Sequence, residues 1–239
     1  MALKYNVNNV LNEYYAKGGK TLFPNSLRDI LVFAQNDDKI SNIKELAYLL
    51  ATAKVESDYS LTRWESDYLC GTIGEPYKSQ PCQKAIDYYR SSSGKKNYFT
   101  LGTDSRNLPY FGRGLIQLTG KSNYAKYGKL AGLGNALVEN GDLALLPRNS
   151  FKIAVAYMDD RTFKYVNQND LIKARESVNG GRKGLDLTNK EYNRWLTIFQ
   201  NPKTNVKSST SNKKNILFGL VGLGLVGFGS YLIYRIVKK

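Results

Sequence analysis

Two glutamates nine positions apart, Glu56 and Glu65, are the residues of this sequence best suited to acid–base chemistry. Glu56 continues an apolar helical stripe, where partial removal from water suits a carboxyl group to donate a proton. Glu65 follows a polar turn. Placed across a cleft from Glu56, it would complete the acid and base pair that glycoside hydrolysis needs. Alternatively, Glu56 lies at a frayed helix end facing water, and Asp58, Asp67 or Glu75 is the second carboxylate.

A second chemically suggestive stretch is YFGRGLIQLTGKSNY, residues 110–124. Gly112 and Gly114 allow a sharp turn or a close approach to a ligand. Neutral donors and acceptors follow within a few positions, and these are Gln117, Thr119 and Asn123. Such side chains are typical of sugar binding, whereas the alternative interpretation is a glycine-rich turn that enters a helix.

The composition restricts the possible chemistry. The sequence contains no histidine, which excludes Ser-His-Asp and Cys-His catalysis and removes the commonest zinc ligand. Any catalysis must therefore use carboxylates, and we expect no metal or other cofactor. The net charge of +15 favours polyanionic partners such as a bacterial cell wall or anionic lipid. No aromatic and basic motif accompanies this charge, so we expect no nucleic acid partner.

Several helices are predicted to position these residues. Asn42 can cap a helix whose apolar positions recur at helical spacing up to Ala53, and Glu56 extends that stripe. Buried helices are also predicted around residues 153–158, 171–178 and 189–199. The second of these stops at Asn179, where Gly180 and Gly181 end it. Asn179 either ends the helix or points its amide into a groove.

The C-terminal sequence differs in character from the rest. From Ile216 to Val237 it is apolar for long enough to cross a bilayer as a helix, with lysines on both flanks. We expect a transmembrane helix over residues 215–237, a basic tail at 238–239 and a flexible polar linker at 201–214. Because both flanks are basic, the membrane orientation stays open.

The N-terminal end and the cysteines give weaker indications. The N-terminal sequence MALKYNVNNVLNEYY lacks the uninterrupted apolar core of a secretory signal. Cys70 and Cys82 lie in one polar segment. They could close a short loop in an oxidising compartment, and an open thiol pair is the alternative.

Taken together, these motifs resemble one known family. The order LAYLLATAKVES, Trp64-Glu65, YFGRGLIQLTGKSNYAKYG and SVNGG is similar to the family 19 glycoside hydrolases, which include chitinases and phage and bacterial endolysins. The resemblance covers about residues 40 to 200. It implies a mainly α, lysozyme-like α+β, bilobed domain over residues 1–200, followed by the predicted linker and membrane helix.

The resemblance also implies roles for single residues. Glu56 falls on the family's general acid and Glu65 on its general base, in an inverting hydrolysis of β-1,4-linked glycans that contain N-acetylglucosamine. Sugar-binding positions of the family fall on Gln117, Asn123 and Asn179, and Thr119 falls on a hydroxyl that helps hold the attacking water. No metal is implied.

The sequence departs from the family pattern in three places. Val55 stands where the family usually has His before the acid. The Asp-Arg pair often found after Asn-Gly-Gly appears here as Asp186-Leu187, with Arg182 or Arg194 as candidate replacements for the arginine. The segment from Leu69 to Pro109 corresponds to no family feature and is a candidate for shaping substrate choice.

Three functions are compatible with these observations. The first is a membrane-anchored hydrolase of peptidoglycan, or of a chitin-like glycan, used by a phage as a lysin or carried in its virion. The second is a membrane-bound glycan-binding or structural virion protein, in contact with other virion proteins and with little or no catalysis. The third is a lytic transglycosylase that uses Glu56 alone. The retention of both glutamates favours the first, at a virion membrane or the host inner membrane.

Overall fold

The computed structural model describes residues 3–65, 67–70, 83–90, 98–204 and 206–208. Within these ranges the chain is mainly helical, which confirms the predicted class. The helices are α1 (Val7–Ala16), α2 (Pro24–Ala34), α3 (Ile43–Ser57), α4 (Gln83–Arg90), α5 (Lys121–Leu130), α6 (Ala136–Glu139), α7 (Pro147–Arg161), α8 (Phe163–Asn167), α9 (Leu171–Asn179) and α10 (Leu185–Gln200). Short 3₁₀ turns lie at Asp67–Cys70, Tyr98–Leu101, Gly141–Leu145 and Pro202–Thr204.

Helix α3 forms the centre of the core. Its residues 45–53 are all buried, as expected for a helix that is apolar on nearly every face. It packs most extensively against α10. Beside this interface the indole of Trp195 stacks on Tyr14, with ring centroids 4.6 Å apart, and its N–H donates to the hydroxyl of Tyr59 at 3.1 Å. The interior around α3 is therefore both apolar and specifically hydrogen-bonded.

Both ends of α3 are fixed, and this determines where Glu56 lies. At the N-terminus the side chain of Asn42 accepts hydrogen bonds from the backbone N–H groups of Lys44 and Glu45, so the predicted cap is present. At the C-terminus Asp58 adopts a left-handed conformation, and its carboxylate accepts from the N–H of Leu22 at 2.8 Å. Glu56 is thereby held in an ordered last turn, not at a frayed end.

A small second cluster of apolar side chains lies beside Glu65. Trp64, Ala85, Tyr89, Phe111 and Leu145 are buried together, apart from the main core. The rings of Tyr89 and Phe111 stack with centroids 4.9 Å apart. Helix α4 thus packs on the segment that carries Glu65. Because α4 lies within the segment from Leu69 to Pro109, this part of the chain supports the site.

The folded part continues beyond the predicted domain boundary at residue 200. Strand β1 (Leu3–Lys4) pairs antiparallel with β2 (Lys207–Ser208), with Leu3 opposite Ser208. Thr204 is fully buried, and its hydroxyl donates to the carbonyl of Ile198 at 3.0 Å. The first residues of the predicted linker therefore belong to the domain, because the N-terminal strand and the end of α10 hold them.

Two sequence predictions involve residues outside the described ranges. The predicted membrane helix at 215–237 lies entirely beyond them, and none of the helices described for this chain is long and apolar enough to span a bilayer. Cys70 is disulfide-bonded. Cys82, the other cysteine of the sequence, lies outside the described residues.

Candidate active site

Glu56 is held by a buried arginine. The guanidinium Nη1 of Arg175 donates to Glu56 Oε1 at 2.7 Å, joining α9 to the last turn of α3. The side chain of Arg175 is 4% exposed and that of Glu56 is 21% exposed, so Glu56 is the more accessible member of the pair. Arg175 Nε also donates to the carbonyl of Lys183 at 2.8 Å, which fixes the plane of the guanidinium. Glu56 is thus both accessible and oriented.

A polar cavity of about 420 Å³ opens beside Glu56. It is lined by five of the six residues that the sequence singled out, and these are Glu56, Gln117, Thr119, Asn123 and Asn179. These side chains come from α3, α5, the loop before α5 and the end of α9, so only the folded chain brings them together. Neutral amide and hydroxyl groups around one carboxyl are suited to binding a sugar chain next to an acid.

Glu65, the sixth predicted residue, is not among the residues that line this cavity. Its Oε2 accepts from the backbone N–H of Gly112 at 3.1 Å, and its own N–H donates to the Gly112 carbonyl at 2.6 Å. The hydroxyl of Tyr89 on α4 donates to the carbonyl of Glu65. The backbone and the carboxylate of Glu65 are therefore both fixed against the glycine-rich stretch.

Gly112 connects Glu65 to the cavity wall. A Cβ atom at this position would lie 3.1 Å from Gln117 Oε1 and 3.3 Å from Thr119 Oγ1. The backbone of Gly112 thus lies against the side chains of the wall while its N–H binds Glu65. Only glycine allows this close approach without displacing either neighbour, which accounts for the glycine in the motif.

Gln117 has a left-handed backbone, with φ of 52°, and its side-chain amide donates hydrogen bonds to the protein backbone. Its Nε2 donates to the carbonyls of Arg63 at 3.1 Å and Gly114 at 2.9 Å. The amide N–H groups are thereby used by backbone carbonyls, and the bond to Arg63 ties the segment before Glu65 to the wall. In the described part of the chain Gln117 Oε1 accepts no hydrogen bond. It is the atom of this side chain that remains for a ligand.

The other wall residues are also oriented by local bonds. Thr119 Oγ1 donates to the Gln117 carbonyl at 2.9 Å, and Asn123 Nδ2 donates to the Thr119 carbonyl at 2.8 Å. Asn179 Nδ2 donates to the Lys183 carbonyl, and its Oδ1 accepts from the N–H of Gly181, both at 3.0 Å. Asn179 therefore organises the turn after α9 as well as lining the cavity.

The buried side chain of Arg113 stabilises the cavity wall. It is 1% exposed, and its guanidinium lies 3.7 Å from the ring centroid of Phe111. Its Nε donates to Asp142 at 2.8 Å and its Nη1 to the hydroxyl of Tyr124 at 3.0 Å. Burial raises the pKa of Tyr124 to about 12, so this phenol stays neutral and donates to the Phe111 carbonyl. Buried charge of this kind requires such partners.

The arginine that binds Glu56 differs from the two that the sequence analysis considered as replacements for the family arginine. Arg182 pairs with Glu176 and Arg194 pairs with Glu191, so neither candidate replacement contacts Glu56. Arg175 does so instead. The available signal was its spacing, because Arg175 precedes Asn179 by four positions and therefore lies on the same helical face.

Comparison with known proteins gives two findings. The chain matches the glycoside hydrolase family 19 model, described as chitinase class I, over residues 12–176. It is also 39% identical over 83 residues to a glycosyl hydrolase family 19 domain-containing protein of Haemophilus influenzae. That alignment spans 35% of this chain and 39% of the relative. The family match includes Glu56, Glu65, Gln117 and Asn123 and ends three positions before Asn179.

Proposed function

The chain belongs to glycoside hydrolase family 19, and from this premise we propose that it hydrolyses β-1,4 glycosidic bonds in peptidoglycan or a chitin-like glycan. The observation that carries the proposal is the position of Glu56, whose partly exposed side chain lies at a cavity lined by the amide and hydroxyl groups of Gln117, Thr119, Asn123 and Asn179. The hydrogen bond from Gly112 to Glu65 supports a second carboxylate on the same wall.

The proposed mechanism inverts the anomeric carbon. Glu56 protonates the oxygen of the leaving sugar, while Glu65 takes a proton from the water that attacks the opposite face. The hydroxyl of Thr119 holds that water, and Arg175 keeps the Glu56 carboxyl aimed at the scissile bond. Room for the water requires about 6.5 to 9.5 Å between the two carboxyl groups when substrate is bound.

We also propose that this domain acts while it is attached to a membrane. The apolar segment at 215–237 with its flanking lysines supports a single transmembrane anchor, in the host inner membrane or in a membrane carried by a phage virion. The domain then acts on cell wall within reach of the bilayer. An enzyme that must diffuse freely through the wall gains nothing from such an anchor.

One observation favours a second candidate reaction. Because Glu65 does not line the described cavity, Glu56 alone could act as acid and then base, as in a lytic transglycosylase. The muramyl product would then carry an intramolecular 1,6-anhydro bond in place of a new reducing end. The two reactions therefore differ by one water in the mass of each product.

The test is to incubate the full-length protein with purified peptidoglycan and, separately, with chitin, and to identify the products by mass spectrometry. We expect muropeptide-bearing fragments with hydrolysed reducing ends. Anhydro-sugar products would replace the hydrolase with a transglycosylase. Binding to either glycan without any fragments would leave only the glycan-binding role.

A further inference from the structure

A second cavity, of about 550 Å³, borders the first one at Glu56. The two cavities share Glu56, Asn179 and Gly180 as lining residues. The remainder of the second cavity is formed by Val55, Arg175, Lys183 and two further glycines, Gly181 and Gly184. Nothing in the proposed acid–base mechanism requires this space, although it lies directly beside the acid.

The charge on the described lining of this cavity is positive. Glu56 is its one carboxylate, and the ion pair with Arg175 compensates that charge. The ammonium group of Lys183 makes no ion pair with any residue in the described ranges. Lys183 is therefore the one cationic residue of the described lining that makes no ion pair within the described ranges.

The backbone at the start of α10 also favours an anion in this cavity. Gly184, the residue before the first turn of α10, lines the cavity and provides no side-chain cap to that turn, in which the N–H of Leu185 donates to the carbonyl of Arg182. The start of a helix carries partial positive charge and favours anions. The carboxylate of Asp186, in the same turn, is not among the cavity-lining residues.

Much of the lining of this cavity carries no side chain. Three glycines leave its wall without side chains, and a Cβ placed on Gly181 would meet no atom within 4 Å. Val55, at the position where the family usually has histidine, supplies an apolar surface. A short group with a methyl and a carboxylate matches this combination of an apolar wall and a cation.

We propose that this cavity binds the acidic substituent on O3 of a muramyl sugar, with Lys183 as its ionic contact. This inference rests on the proposed glycan hydrolase function and deepens it. Chitin has no such substituent, whereas alternate sugars of peptidoglycan carry a lactyl ether whose carboxyl group is free or extended by a peptide with carboxylates of its own. The cavity thereby selects carboxylate-bearing glycan over neutral glycan.

The test compares binding of matched glycan strands to the full-length protein by calorimetry. One sample is peptidoglycan strands freed of peptide, which have lactyl carboxylates, and the other is the same strands after amidation with methylamine. Both samples are measured in the Glu65→Gln background, in which the proposed inverting mechanism predicts no turnover and in which the substituted residue lies outside the lining of both cavities. We expect amidation to weaken binding about fivefold, the upper range for an exposed ion pair.

Three variants identify the origin of this difference. Lys183→Gln should remove the preference for unamidated strands, whereas Lys190→Gln, at an exposed lysine of α10 outside both cavities, should retain it. This control separates a specific contact from general attraction to a protein of net charge +15. Gly181→Leu, which adds a bulky side chain to the cavity wall, should also reduce the preference.

Strands with intact peptides distinguish the source of the carboxylate. If these strands alone show the Lys183-dependent preference, the peptide supplies the group, and if peptide-free strands show it, the lactyl ether does. Equal affinity for amidated and unamidated strands, or a preference that survives Lys183→Gln, would overturn the proposal. Fragment release by the unmutated protein is scored separately, so failure of the hydrolase function remains distinguishable.

Discussion

The guanidinium of Arg175 lies 2.7 Å from the carboxylate of Glu56 and joins two helices that are far apart in the sequence. Arg175 is nearly inaccessible to solvent, whereas Glu56 opens onto both cavities. The pair therefore fixes the position of the reactive carboxyl from the protein side and leaves its other oxygen available. This arrangement connects the stability of the α3–α9 contact to the chemistry of the site.

Removing this arginine should impair both properties. Breaking a buried ion pair costs about 3–5 kcal/mol, and because Glu56 is partly hydrated we expect about 1–3 kcal/mol for Arg175→Ala. Glycan cleavage should fall at least about tenfold, corresponding to roughly 1.4 kcal/mol at the transition state. Urea unfolding and initial rates measure the two effects. The matched control is Arg182→Ala, at an exposed pair with Glu176. Equal activity of the two variants would show that Arg175 does not position the acid.

The role of Gly112 can be tested by adding one methyl group. In Gly112→Ala the new Cβ would crowd Gln117 and Thr119, which should cost about 1–3 kcal/mol as overpacking does. Activity should fall by more than this destabilisation explains, because the displaced backbone also binds Glu65. Rates measured well below the unfolding midpoint separate the effects. Gly181→Ala, where the methyl meets open space, should unfold like the unmutated protein.

Acid should destabilise the protein through Asp104, a buried carboxyl that shares Arg106 with Asp142, the partner of Arg113. Burial alone would raise the pKa of this carboxyl, but hydrogen bonds from the N–H groups of Leu108 and Gly141 and from Arg106 lower it. A lowered folded-state pKa contributes stability above the unfolded pKa, and that stability is lost as the pH falls below about 4. The unfolding free energy, measured in urea between pH 5 and pH 3, should therefore decrease.

The variant Asp104→Asn should make this decrease less steep, because one proton-linked carboxyl is gone. Asp29→Asn, at an exposed position of α2, controls for the loss of a single negative charge. An unchanged slope in Asp104→Asn would assign the acid sensitivity to other groups.

The anchor proposal predicts how the protein partitions between membrane and buffer. Salt screens surface electrostatics but does not extract a spanning helix. The intact protein should therefore remain with membranes through a high-salt wash, and a version that ends before residue 215 should be released and still cleave glycan. Release of the full-length chain by salt alone would exclude a spanning helix, and the +15 net charge would then account for membrane association.

What could be predicted from the sequence was mostly local. The Asn42 cap and the end of α9 at Asn179 depend on residues a few positions apart, and the structure has both. The glycine-rich stretch of the cavity wall and the carboxyl of Glu56 were also identified, because both belong to motifs that occur in the same order in the family. The continuation of the folded part beyond residue 200 was not predicted. It depends on pairing with residues 3 and 4, which lie near the opposite end of the chain.

The contacts that orient the site were less accessible to such reasoning. The Glu56–Arg175 pair joins residues 119 positions apart, and charge alone did not distinguish Arg175 from Arg182 or Arg194. The left-handed backbone of Gln117 and the bonds from its amide to the carbonyls of Arg63 and Gly114 are likewise not revealed by the sequence. Similarly, the bond from Tyr89 to Glu65 depends on the packing of α4.

The most direct test of the two-carboxylate mechanism is the anomeric form of the first product. Hydrolysis of a soluble β-1,4 oligosaccharide of N-acetylglucosamine can be followed by proton NMR before mutarotation. The account predicts that the unmutated protein releases the α-anomer and that Glu56→Gln and Glu65→Gln release none while keeping the helical circular dichroism. An initial β-anomer, an anhydro product, or full activity of Glu65→Gln would contradict it.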